Sequence, residues 1–125
     1  MKKILLLLFL LPVFAFAQKA YDAINYTGKT QNITVKFTLA NGYINGSEIK
    51  TTDNTTKKTS KFLPSTDTAN NDKSFKFYHY SSAGKSFADY FLLEGLEDNY
   101  ETVPVKIKGK YFFNGTFYPI VFTKN

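Results

Sequence analysis

Gln31-Asn32-Ile33-Thr34-Val35-Lys36-Phe37-Thr38-Leu39-Ala40 changes character at every step from Ile33 to Leu39. Ile33, Val35, Phe37 and Leu39 form one set, and Thr34, Lys36 and Thr38 the other. Successive side chains of an extended chain point to opposite faces, so this period of two describes a strand with one face in a core and one in water. Asn41-Gly42 follows, a dipeptide strongly favoured in two-residue hairpin turns. Residues 43–50 then read as the return strand, with Gly46 as a bulge or a point of close approach. Residues 23–29 read as a first strand before it.

The same pattern runs through the rest of the chain. Residues 57–63 read as an edge strand ended by Pro64, inside a polar Thr/Asn/Lys-rich region, residues 51–74, that includes a loop at 65–72. Residues 73–80 are dense in aromatics: Phe75, Phe77 and His79 face one way, and Lys76, Tyr78 and Tyr80 the other. A turn around Gly84 leads to a strand over 86–93, and then to an acidic turn at 96–99. Val103, Val105 and Ile107 alternate with Pro104, Lys106 and Lys108, and the proline places the start of this strand at an edge. Residues 110–113 and 116–123 flank Asn114-Gly115, a second hairpin signal. The fold class is therefore all-β: an antiparallel meander of about eight or nine strands, as a small barrel with lipocalin-like closure or as a two-layer sandwich. Bulky residues on both faces of many strands favour the barrel.

Residues 1–17 read as a cleaved export signal. Met1-Lys2-Lys3 is positive, residues 4–16 are apolar apart from Pro12, and Ala15-Phe16-Ala17 is a small-x-small cleavage signature. The apolar run is shorter than the ~20 residues needed to span a bilayer as a helix. No cysteine follows it, which argues against a lipid anchor. The expected product is a single β-rich domain, residues 18–125, periplasmic or extracellular. With no cysteine in the chain, it depends on packing and sheet hydrogen bonds where many small exported domains use disulfides. All 16 basic residues are lysines, and without Lys2 and Lys3 they leave +4 against 10 acids. The absence of arginine, the residue of choice for bidentate phosphate and guanine contacts, argues against sequence-specific nucleic-acid binding. Spread lysines suit a solvated surface, with a weak attraction to anionic headgroups or polysaccharide.

Catalytic signals are sparse. His79 is the lone histidine and would have to serve as the base of any nucleophile–histidine–acid site. Ser81, Ser82 and Ser86 lie near it in sequence but form no nucleophile motif, so a strand histidine among aromatics is the simpler reading. One histidine and no cysteine leave too few ligands for zinc. Glu94, Glu97, Asp98 and Glu101 cluster on one turn without the spacing of a calcium loop, which suggests a solvated turn balancing Lys106, Lys108 and Lys110. No cofactor and no metal are expected. Among the aromatics of residues 75–91, Tyr78, Tyr80 and Tyr90 are the candidates for ligand binding, since exposed rings on a strand can stack on sugars or line an apolar site. Asn25, Asn32, Asn45, Asn54 and Asn114 each begin an Asn-x-Ser/Thr triplet. The bacterial look of the signal makes these a matter of composition.

The Phe-Ala-Gln at the cleavage site and the arginine-free body, rich in Lys, Asn, Thr and Tyr, resemble exported proteins of Bacteroidota. The resemblance implies one modification site: Asp67-Thr68-Ala69 is similar to the Asp-Thr/Ser-apolar motif for O-glycosylation in that group, which would place a glycan on Thr68. The functional expectation is a non-enzymatic exported binding domain for an apolar small ligand, a glycan or an envelope protein. The alternative is a periplasmic inhibitor or immunity protein that occludes a partner enzyme.

Overall fold

The computed structural model describes residues 21–65 and 74–125. The export signal at 1–17 and the Asp67-Thr68-Ala69 tripeptide lie outside the described residues. Eight strands follow in order: β1 (Asp22–Thr30), β2 (Ile33–Asn41), β3 (Glu48–Asp53), β4 (Thr59–Pro64), β5 (Ser74–Tyr80), β6 (Tyr90–Glu94), β7 (Lys106–Phe113) and β8 (Thr116–Lys124). Each pairs antiparallel with its sequence neighbour, and β8 returns to β1, giving a closed barrel. The sandwich alternative falls away.

The alternation of residues 33–39 works as its period requires. Val35, Phe37 and Leu39 are buried inside, opposite Gly28, Tyr26 and Ile24 of β1. Phe62, Phe77, Phe91, Leu93, Ile107, Ile120 and Phe122 fill the interior from the other strands. Their rings meet edge to face: Phe37 and Phe77 are 5.6 Å apart at 79°, and Phe62 and Phe91 4.8 Å apart at 87°. That geometry sets the positive edge of one ring against the negative face of the next. The exterior carries Thr34, Lys36, Lys50, Lys106, Lys108 and Lys110. These lysines on β2, β3 and β7 interrupt the continuous outer apolar band that a membrane-spanning barrel presents to lipid. Among the described residues no helix is long and apolar enough to cross a membrane.

The two Asn-Gly pairs part company. Asn114-Gly115 forms the two-residue hairpin, with Phe113 opposite Thr116 and both turn residues at positive φ (54° and 79°), the combination a type I′ turn needs. Asn41-Gly42 does not. The Gly42 N–H donates to the Asp98 carbonyl at 2.9 Å, and the chain passes through a single 3-10 turn, Ile44–Gly46, before β3 begins at Glu48. A long-range bond competes successfully with the local turn. The tight hairpin between β1 and β2 lies at Gln31 and Asn32 instead, with Thr30 opposite Ile33.

Several strands differ from the sequence reading: β4 runs Thr59–Pro64, includes its proline and is paired on both sides, so it is not an edge. The sixth starts at Tyr90 rather than Ser86, because residues 86–89 belong to the connection between β5 and β6. Residues 106–108 and 110–113 form one strand, and Pro104 precedes it; the Pro104 carbonyl accepts from the Tyr26 hydroxyl at 2.7 Å. The barrel closes through only two pairs, Tyr26↔Lys124 and Thr27↔Thr123. Beyond them β1 and β8 still press together at Gly28, where a Cβ would stand 2.9 Å from the Val121 carbonyl oxygen. Pro119 sits in this part of β8, where its missing N–H takes nothing from a ladder with β1.

Candidate functional site

The up-and-down order sends alternate connections to opposite ends of the barrel. One end receives the connection between β2 and β3 and the connection between β6 and β7, and it is filled. Ile44, Leu96, Tyr100 and Val103 pack onto the core from these segments. The Asn41 amide is bonded to both sides of the Tyr100 backbone: its nitrogen donates to the carbonyl at 3.0 Å, and its oxygen accepts from the N–H at 2.7 Å. Asp98 Oδ1 accepts from the Ile44 N–H at 3.1 Å. The acidic turn thus holds two connections together, and among the described residues no group of three or more acidic, His or Cys side chains could hold a metal ion.

The other end is open. It carries the tight hairpins β1–β2 and β7–β8, the turn between β3 and β4, and the 81–89 loop. Inside it lies a cavity of about 400 Å³, lined among others by Thr51, Ser60, His79, Tyr111, Phe113 and Tyr118. These are the inward residues of β3, β4, β5, β7 and β8, one or two steps beyond the apolar layers, where the interior turns from aliphatic and Phe to hydroxyl, phenol and imidazole. Phe113 continues the inward face of β7 but reaches the rim, where it stays 47% exposed. The rim is braced by Thr34 Oγ1 donating to Asn54 Oδ1 at 2.9 Å. Asp53 Oδ1 also accepts from the backbone N–H groups of Thr55 and Thr56 at 2.8 and 2.9 Å. The N–H bonds, that from Thr56 foremost, hold the Asp53 carboxyl below its usual value.

One polar network crosses the cavity wall. Asp89, at the end of the loop, takes His79 Nδ1 on Oδ1 at 2.8 Å and the Tyr111 hydroxyl on Oδ2 at 2.8 Å. With Nδ1 engaged by Asp89, Nε2 is the remaining ring nitrogen of His79. Phe62 and Phe87 pack on the ring at centroid distances of 4.6 and 4.0 Å, and fix its plane. Burial, the bond donated to Asp89 and the negative charge there push the Tyr111 phenol far above its ordinary value, so it remains a donor locked to Asp89. Nε2 has no protein partner among the described residues, where no buried side-chain nitrogen or oxygen is unpaired. It is therefore accessible from outside the protein.

The aromatic candidates separate as their register dictates. His79 reaches the cavity. Tyr78 and Tyr80, each 41% exposed, and Tyr90 stand on the outer face. Tyr80 also borders a shallow cleft beside His79, with Ser81, Ser82, Lys85 and Phe87. Asp89, Tyr111, Phe113 and Tyr118 escaped the sequence reading. The period-two run Ile107, Gly109, Tyr111, Phe113 could have placed two of them on one inner column. Asp89 had no such signal, since residues 86–93 read as continuous strand. Compared with known proteins, the chain matches no family model, no curated protein and no solved structure.

Proposed function

We propose that this is an exported, non-enzymatic binding domain that takes a small, largely apolar ligand into the open end of its barrel. The observation that carries this reading is the cavity of about 400 Å³ at one barrel end, within the ~300–1,000 Å³ common for small-molecule sites. Its walls have the composition such sites use: aromatic surface from Tyr111, Phe113 and Tyr118, with a few placed polar groups. The oriented Nε2 of His79 is the ring nitrogen left to exchange a hydrogen bond with a polar group of the ligand. A partly exposed phenylalanine at the rim gives an apolar body something to cover. Binding is favoured over turnover because among the described residues His79 is hydrogen-bonded to Asp89 and to no hydroxyl or amine that could act as a nucleophile. The export reading of residues 1–17 places the ligand outside the cytoplasm.

The test uses the uncharged fluorophore N-phenyl-1-naphthylamine as an apolar probe. Saturable enhancement with one site per chain is expected. Ser60→Phe, which fills the cavity, and Phe113→Ser, which strips its rim, should abolish it. No saturable enhancement, or enhancement indifferent to both variants, overturns the proposal. A stoichiometric protein partner recovered instead from the envelope fraction would favour an inhibitor.

A further inference from the structure

The outer surface of the barrel is not uniform. On β1 to β3 the outward residues are, apart from the paired Ala23 and Ala40, all polar: Asn25, Thr27, Lys29, Thr34, Lys36, Thr38, Glu48, Lys50 and Thr52. On the opposite side the ladder sets Leu63, Tyr78, Tyr90, Phe112 and Phe117 directly across from one another on five consecutive strands. Tyr80, two residues along β5 and across from Lys61, and Val121, four residues along β8 and across from Lys108, add apolar surface to the same face. Cross-strand packing accounts for part of it: Tyr90 and Phe112 stack at 4.9 Å, and Phe112 and Phe117 lie 5.0 Å apart. It leaves Tyr78 and Tyr80 at 41%, Val121 at 46% and Phe117 at 48% exposed.

Lysines surround the row. Lys76 Nζ lies 4.5 Å from the Tyr90 ring centre, and Lys110 Nζ 6.0 Å from that of Phe117. Every outward residue of β7 before Phe112 is a lysine: Lys106, Lys108 and Lys110. Among the described residues none of these four has a carboxylate within ion-pair distance, whereas Lys50 and Lys61 both approach Glu48, at 3.8 and 3.7 Å.

We infer that the outer face of β5 to β8 is a docking surface for an anionic lipid bilayer. The charge selects the occupant. A second copy of the chain would bring lysines against lysines. A sugar would stack on single rings, but the central Tyr90 is flanked by Phe112 and Lys76, and a neutral sugar makes no use of the lysines without carboxylate partners. A barrel side is convex and offers no groove for a peptide, and β5, β6 and β7 are each paired on both sides, which leaves no edge within this face for strand addition. A bilayer surface needs none of these. It accepts aromatic rings at headgroup level, where amphipathic side chains are favoured, and it draws lysines to its phosphates. Bound this way, the barrel lies on its side, with the cavity mouth at the edge of the contact.

The experiment is co-sedimentation of the protein, residues 18–125, with vesicles of phosphatidylglycerol or of phosphatidylcholine alone. Binding to the anionic vesicles is expected, with loss at about 1 M salt, where the screening length is ~3 Å. Lys108→Glu with Lys110→Glu should lower partitioning by at least about tenfold. Phe117→Ser should lower it several-fold, and Lys36→Glu on the opposite side should leave it within about twofold. All four sites are on the surface, and unchanged circular dichroism verifies folding. Equal binding to both vesicle types, equal loss with Lys36→Glu, or no loss with Phe117→Ser overturns the inference, the second by showing that net charge rather than this face is responsible.

Discussion

The two ends of the barrel are built from the same repeating strands and end differently. At the filled end, long connections fold inward. Asn41, Asp98, Tyr100 and Pro104 exchange hydrogen bonds between elements far apart in sequence. At the open end the connections include two tight hairpins, which have too few residues to fold back over the interior, and the inward side chains face a cavity. The comparison shows how one fold divides its labour. Hydrogen bonds between distant elements gather where connections cap the core, and the cavity with its polar side chains lies where they do not.

Several substitutions would break or sharpen that contrast. Phe37→Ala, in the shared core and fully buried, should cost about 3–5 kcal/mol in urea denaturation, the usual range for a deleted core ring. That sets the scale for both ends. Asn41→Ala removes both bonds to Tyr100 and leaves two backbone groups of the filled end to find new partners, at a cost of about 1–3 kcal/mol. A loss below experimental error would mean the bonds are incidental. Phe113→Ser at the rim should change stability by no more than about 0.5 kcal/mol while removing probe binding.

The ends should also differ in alkaline behaviour. Tyr111 at the open end, and Tyr26 and Tyr100 at the filled end, are all raised above the ordinary phenol value, chiefly by burial. A group whose folded value is raised gives stability that is complete below its unfolded value, about 10 for tyrosine, and is lost as pH climbs from there toward the folded value. Stability should therefore fall above about pH 10. Tyr111→Phe should make that fall less steep, because the most strongly shifted phenol is gone. An unchanged slope would assign the alkaline sensitivity to Tyr26 and Tyr100.

How much of the site could be read in advance depends on how local its causes are. The inward face of β2 follows from Ile33, Val35, Phe37 and Leu39, because side-chain alternation is a property of each residue and its neighbours. The outward placement of Tyr78 and Tyr80 against the inward Phe77 and His79 follows in the same way. The bond between His79 and Asp89 does not. It joins the end of one strand to a loop whose path is set by closure of the whole barrel, and an aromatic, apolar sequence around Asp89 disguises that loop as strand. Asn41-Gly42 errs in the same direction, since Asp98 supplies a partner that no local rule includes.

By itself, then, the sequence determined the strand alternation, the all-β class, the absence of disulfide support and the faces of the β2 and β5 side chains, all consequences of short-range geometry. Only the tertiary structure decided between barrel and sandwich, which end is filled, and that Asp89, His79 and Tyr111 meet at a cavity. It also decided that five separate strands align their apolar residues in one outer row. These depend on register between strands, which is set when β8 returns to β1 and the pairing of all eight strands must agree around the ring.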